Sequence, residues 1–349
     1  MSPVKFTIDG PEQVQAAEKQ LRQAGKLNGV AAETVTLPRV LSVADIFALD
    51  VREPEMLIAG VLPAAGASLS VGAAKSGKTL DAAQKAIAVA SGTALYDFYP
   101  VMKPGPILFL EQDDPAGGAS LKAILQKSSV PVAAIPFHLV TGVPYQFGPD
   151  LLAWLEDQIV GLGLRLVVLD SYTALRGSRP KGIDIVKAEQ SDLTQLDSLA
   201  KRNDCAILVI HHSSKGSAGL DWSEKAAGTF AMAAATEAQA HISRFPELDG
   251  AAPERLVRIR GRHSEDLELV LRFRKDTLDF EHVLEGAAAT LYPVLLQLRA
   301  AFDKQPFSPK DLSHATGQSI ATAHRQIDRL YRSGAIRKRG FGEYVMEAL

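Results

Sequence analysis

The stretch Gly72-Ala-Ala-Lys-Ser-Gly-Lys78-Thr79 follows the pattern G-x-x-x-x-G-K-[ST], and few patterns of this length constrain a fold as tightly. Its glycines let the backbone curl until its N–H groups face a triphosphate. The lysine then reaches the β- and γ-phosphates, and the threonine hydroxyl ligates Mg²⁺. Such a loop requires a buried strand before it and a helix after it. Ala67–Val71 has the strand pattern, and Leu80–Ala90 is Ala-rich and free of Gly and Pro. Gly72, Ala73, Ala74, Lys75, Ser76, Gly77, Lys78, Thr79 and Leu80 are therefore the candidate nucleotide-binding residues, for ATP or a close relative.

The apolar runs downstream fit a mostly parallel α/β sheet. Candidate strands are Ser68–Val71, Ile107–Leu110, Phe137–Val140, Leu164–Leu169 and Ala206–Ile210, near-continuous in hydrophobicity as strands buried on both faces are. Helical stretches at 116–128, 149–161 and 185–203 separate them. Ala238–Arg244, Glu254–Arg260 and Leu267–Phe273 alternate, which predicts a more antiparallel edge.

A phosphate loop needs a metal-holding acid on a neighbouring strand. Leu166-Val-Val-Leu-Asp170 supplies an apolar run ending in Asp at its carboxyl end, so Thr79 and Asp170 form the candidate Mg²⁺ pair. Hydrolysis also needs a carboxylate that orients or deprotonates water. Glu111 and Asp113 share strand parity after Leu110, and either fits that role; helix capping before Pro115 is the structural alternative. His211 and His212 close the next strand and point to opposite faces, so at most one reaches a γ-phosphate. Two basic loops follow these strands, carrying Arg176, Arg179 and Lys181, and Lys215 and Lys225. They are either solvated charge or contacts to a nucleic-acid backbone. Arg258, Arg260 and Arg262 alternate along a strand, as edge protection or as arginines presented to a neighbouring subunit's nucleotide.

Of the 349 residues, 1–41 read as a polar leader, a cap or an oligomerisation segment, with a helix expected over Pro11–Gly25 and another over Ser42–Leu49. The core spans 42–287. Residues 288–349 differ in character: helices over Leu291–Lys304, Pro309–Thr316 and Ser319–Ser333, then two short strands at Ala335–Lys338 and Glu343–Met346, the order of a winged helix-turn-helix. Ile320, Ala323, Ile327 and Leu330 form the inner face of the third helix. Thr322, Arg325, Gln326 and Arg329 lie outward, with Arg337, Lys338 and Arg339 at the wing. Residues 290–349 hold nine Lys/Arg against five Asp/Glu, a net +4 that leaves −6 on the remainder of a chain whose total is −2. That asymmetry suits a localised duplex-DNA contact; protein docking is the other use of such a unit. One cysteine, Cys205, excludes an internal disulfide and a Cys-based zinc site, and no apolar stretch reaches the ~18 residues of a membrane span. A cytoplasmic protein is expected.

The motifs Gly72–Thr79, Leu110–Pro115, Leu166–Ser171 and Ile210–Gly216, in that order, resemble the RecA-like P-loop ATPases of the branch holding plasmid RepA hexameric helicases, DnaB-type helicases and KaiC-like proteins. The resemblance covers about residues 42–283. It implies an ATP- and Mg-dependent ATPase that assembles into homo-oligomeric rings, as hexamers, with single-stranded DNA in the pore. It also places the branch's catalytic glutamate at Asp113, one methylene shorter, with Glu111 as the substitute, and Arg260 and Arg262 as the trans-acting basic pair. The expected function is a replicative helicase of a plasmid, phage or mobile element, or else a non-translocating ATP-dependent DNA-binding switch.

Overall fold

The structure, a computed structural model, describes residues 41–48, 54–114, 117–178, 182–212 and 230–347. The chain groups into two units, Met1–Glu53 and Pro54–Leu349. In the first, α1 (Val43–Ala48) starts at Ser42, whose hydroxyl accepts from the Asp45 N–H at 3.1 Å while the Asp45 carboxylate accepts from the Ser42 N–H at 2.8 Å. The helix expected over Pro11–Gly25 lies outside the described residues.

The second unit opens with a small hairpin, β1 (Met56–Ile58) and β2 (Leu62–Pro63). The main sheet then alternates with helices: β3 (Gly66–Gly72), α2 (Lys78–Ser91), β4 (Ile107–Glu111), α3 (Ala119–Lys127), β5 (Phe137–Thr141), α4 (Pro149–Leu162) and β6 (Leu166–Asp170). After β6 come α5 (Tyr172–Arg176), α6 (Ile185–Arg202), β7 (Ala206–His212), α7 (Phe230–Ala234) and β8 (Ala238–Ser243). Three antiparallel strands finish it: β9 (Glu254–Gly261), β10 (Leu267–Arg274) and β11 (Asp279–Glu285). The sheet order is β11-β10-β9-β8-β3-β7-β6-β4-β5. Strand β3 thus lies centrally, paired in parallel with β7 on one side and β8 on the other.

Both faces of the parallel strands are covered, which is why they read as continuous apolar runs. On one face Phe109, Val168, Leu208 and Ile210 pack with Ala82, Ala86 and Val89 of α2. On the other, Leu69, Leu110, Leu169 and Val209 pack with Leu151 and Leu155 of α4 and Leu193 and Leu196 of α6.

Three expectations for the sheet and its helices need correction. The helix expected from 116 begins at Ala119, because Gly117 (φ 63) and Gly118 (φ 84) adopt left-handed backbone that a helix cannot contain. Ala238–Ser243 is parallel to β3, so the antiparallel edge begins only with β9. That edge also carries one strand more than expected: in β11, Asp-Phe-Glu-His-Val-Leu-Glu has too little apolar periodicity to announce a strand.

Beyond a 3₁₀ turn (Gly286–Leu291), α8 (Tyr292–Phe302), α9 (Pro309–Thr316) and α10 (Ile320–Arg332) precede a hairpin of β12 (Ile336–Gly340) and β13 (Glu343–Met346). Leu295, Leu298, Phe307, Leu312, Ala323, Ile327, Leu330 and Ile336 form their own core. Ser308 and Asp311 make a reciprocal capping box at the start of α9, and Ser319 caps α10. Ile320, expected inside, is 46% exposed, since it lies on the first turn beside that cap. Tyr292 joins this bundle to the sheet, packing with Phe245, Leu256 and Val270. Among the described residues no helix is long and apolar enough to cross a membrane.

Cys205 is fully buried at the foot of β7, and burial pushes its thiol up to about 12. The native protein is therefore expected to show no thiol reactive toward a disulfide reagent at neutral pH, and the denatured protein one. Modification of the native chain would contradict this packing.

Candidate nucleotide site

The phosphate loop leaves β3 at the carboxyl edge of the sheet, the edge where open α/β folds take ligands. Gly77 (φ 109) and Lys75 (φ 61) turn the backbone into α2 through left-handed conformations. The loop also fits closely behind. A Cβ on Gly77 would stand 2.8 Å from Cζ of Phe280 on β11, and one on Gly72 would clash with the Ile242 carbonyl of β8. Glycine is required at both positions by contact, beyond any preference of the turn itself.

Lys78 is 4% exposed and donates to the carbonyls of Gly72 (3.0 Å) and Ala73 (2.9 Å). Burial lowers its pKa, opposed by the charges of Asp170 and Asp113. Thr79 donates its hydroxyl to Asp170 at 2.6 Å, tying the start of α2 to the end of β6. Burial pushes Asp170 up to about 7, with Glu111 and Asp113 adding to the rise and the Thr79 hydrogen bond and Lys78 opposing it. Burial likewise raises Glu111, whose carboxylate accepts the N–H groups of Asp113 and Asp114, both at 2.9 Å. This is a local capping arrangement at the end of β4. Asp113 itself faces His212, with 2.9 Å between Oδ2 and Nε2.

The two histidines part as strand geometry demands. His211 is buried, with Nδ1 3.4 Å from the Thr173 hydroxyl and its ring edge-on to Tyr172. Burial first, then the electrostatic influence of Arg176, His212 and Lys78, pushes its pKa down to about 4, so it is neutral at physiological pH. His212 is the one that joins the carboxylate cluster. Lys78, Thr79, Glu111, Asp113, Asp170 and His212 thus converge on one edge.

The donor set fits a magnesium nucleotide. The Ser76 hydroxyl is buried with no hydrogen-bond partner, and Thr79 and Asp170 offer a hydroxyl and one carboxylate. Among the described residues no group of three or more His, Cys, Asp or Glu could hold a metal alone. Mg²⁺ takes one or two protein ligands and completes its shell with phosphates and water.

Other sequence candidates lie elsewhere. Arg260 pairs with Asp266 (2.9 Å). Arg262 donates to the carbonyls of Thr236 (3.0 Å) and Ala234 and stands 3.7 Å from Glu237. Gly261 pairs with Ala238 and Ala238 with Ser68, so Arg262 lies toward the amino-terminal edge of the parallel strands, whereas Arg260, paired with Gln239, is level with Leu69 at mid-strand. From Ala67 to Gly72 the strand rises about 17 Å, so Arg262 is not placed to serve its own loop, and Arg260, about 10 Å along the strand from Gly72, is paired with Asp266 instead. Arg176 is committed to an ion pair with Glu189 of α6. Arg179, Lys181, Lys215 and Lys225 lie outside the described residues.

Arg255 was not anticipated. It is buried at the start of β9, donating from Nε to the Ser76 carbonyl (3.1 Å) and from Nη1 to those of Ala252 (2.9 Å) and Glu254 (2.7 Å). It therefore holds the back of the phosphate loop, the side whose carbonyls point away from the N–H cradle. Its signal in the sequence was a cation sharing parity with the buried Val257 and Ile259.

Together these features define a P-loop ATPase with a RecA-like core. A family comparison agrees: the AAA domain profile AAA_25 matches residues 31–218, and the chain belongs to that family. Among solved structures it is similar to one described as an ATPase domain, with a TM-score of 0.50 at 9% identity, over 79% of this chain and 100% of that one. It is also similar to a DnaB-like replicative helicase studied for its interactions with primase, with a TM-score of 0.52 at 10% identity, over 78% of this chain and 72% of that one. At such identities the likeness is one of fold. No curated protein sequence matches the chain.

Lys78→Ala is expected to abolish ATP turnover in a phosphate-release assay, because no other cation among the described residues occupies that place in the loop. Arg255→Met keeps the side-chain stem but removes the donors. It is expected to weaken nucleotide binding about tenfold, the value of a charged hydrogen bond, in a fluorescent-nucleotide titration. Unchanged affinity would mean that the loop is held without it.

Proposed function

We propose that the protein is a ring-forming, Mg-dependent ATPase acting as a DNA motor, most specifically a replicative helicase of a plasmid, phage or mobile element. The observation that carries the proposal is the division of catalytic parts between two sheet edges. Lys78, Thr79, Asp170 and the acids Glu111 and Asp113 lie on one edge, Arg262 lies toward the other, and Arg260 sits between them on the strand that leads there. A single copy cannot bring them together, whereas a head-to-tail ring does so at every interface. There the arginines of one subunit stabilise charge developing on its neighbour's γ-phosphate. Thr79 and Asp170 would hold Mg²⁺, which would supply charge neutralisation at the phosphates; Asp113, oriented by His212, is the group that activates water, with Glu111 bracing the turn that presents it.

DNA enters this reading in two places. Single strands run along the basic loops of the core, to which Arg179, Lys181, Lys215 and Lys225 belong. Duplex is bound by the C-terminal unit read as a winged helix, with α10 in the major groove. Arg325, Lys338 and Arg339 are exposed there. Thr322 and Arg329 have structural duties as well: the Thr322 N–H donates to Ser319 at the cap, and Arg329 donates to Thr290 at 2.9 Å. Gln326 keeps its buried Oε1 without a partner, and Arg337 pairs with Glu347.

Arg262→Ala is expected to retain nucleotide binding yet lose more than about 90% of DNA-stimulated turnover, an arginine finger being worth at least a thousandfold in phosphoryl transfer of this kind. Wild-type turnover in the assembled state would remove the shared site from the account. ATP-dependent duplex binding without unwinding of a forked substrate would favour the switch reading.

A further inference from the structure

Phe341 is 103% exposed, more than any other large hydrophobic among the described residues. It occupies the tip of the β12–β13 hairpin between Gly340 and Gly342, where Gly340 pairs with Glu343 and Gly342 takes φ 71 to close the turn. The two glycines leave the phenyl ring as the only side chain on the tip. Its base is fixed. Phe307 and Tyr344 exchange backbone hydrogen bonds of 2.9 and 2.8 Å, the Tyr344 ring packs against Tyr331 of α10 (6.0 Å between centroids), and the Glu347 N–H reaches the Ala335 carbonyl. The ring is therefore carried on a rigid, slender projection alongside α10.

Its neighbours are cations. Arg337, Lys338 and Arg339 immediately precede the tip, and Lys338 and Arg339 have no carboxylate partner among the described residues. A lone phenyl ring in a positive field is poorly suited to an apolar protein groove, which would match a patch and carry no matching negative charge. It suits a stacked base flanked by phosphates. Architectural DNA-binding proteins use this chemistry when an apolar side chain wedges between base steps from the minor groove. That groove is about 6 Å wide, a fit for a glycine-flanked tip and not for a helix.

We propose that Phe341 is a base-stacking wedge, inserted into the minor groove of duplex DNA while Lys338 and Arg339 hold the adjoining phosphates. The proposal rests on the reading of the C-terminal unit as a duplex-binding module. It adds that the module deforms the duplex as well as gripping it.

The test uses the full-length protein, a mixed-sequence duplex and a single strand of the same length. Because Phe341 touches no core, Phe341→Ala and Phe341→Trp are expected to fold as the wild type does. Phe341→Ala is expected to weaken duplex binding about tenfold, within the range for one lost stacking contact, with the salt dependence of binding unchanged. A Lys338→Ala, Arg339→Ala double variant is expected to reduce the slope of log K against log salt by about two instead. In Phe341→Trp, the added emission is expected to be quenched by duplex. Duplex affinity of Phe341→Ala within twofold of the wild type, or quenching by the single strand alone, would overturn the wedge. A wild-type protein with no duplex affinity would fail at an earlier step, overturning the reading of the module and the wedge with it.

Discussion

The site depends on a buried cation. Lys78 lies almost wholly out of water, and a charge in that position is tolerable only if the surroundings supply opposite charge and acceptors. Two loop carbonyls and the nearby carboxylates of Asp170 and Asp113 do so. The same arrangement works against the acids. Burial raises the cost of ionising Asp170, with Glu111 and Asp113 adding to it, and burial raises that of ionising Glu111, which the N–H groups of Asp113 and Asp114 oppose. A site with three carboxylates, a buried lysine and a partnerless serine hydroxyl is poised for a ligand bringing both a divalent cation and phosphates.

The antiparallel extension of the sheet has two functions in this account. Near the carboxyl edge it braces the loop: Phe280 sits under Gly77, Arg255 holds the Ser76 carbonyl, and the Gln84 amide of α2 makes paired hydrogen bonds of 2.7 and 2.9 Å with the Phe280 backbone. At the other end of β9 the chain carries Arg260 and Arg262 away from that loop. One strand thus links the back of a subunit's own loop to the arginines that the proposed ring would offer to the next subunit.

Much of this was legible in the sequence because the motifs are local. The phosphate loop, the Asp170 strand and the parallel core follow from glycine placement and unbroken apolar runs, and the pattern of α8 to β13 follows from caps and amphipathic periodicity. What escaped was long-range. Nothing near Arg255 shows that it will meet Ser76, and Phe280 lies in a strand whose mixed composition hides it. Asp113 and Glu111 could not be separated by parity, because the chain turns after β4 and Glu111 caps that turn. The RecA-like core is shown by the structure and by membership of the AAA domain family.

The most direct test of the shared site is complementation between two inactive variants, Lys78→Ala and Arg262→Ala, mixed in equal amounts. Each lacks one half of the site, so a randomly mixed ring should contain wild-type interfaces at about one position in four. The account predicts that turnover returns to about a quarter of the wild-type rate, provided interfaces act independently. Two variants that are each inactive alone and stay inactive when mixed, in assemblies verified to contain both, would contradict it.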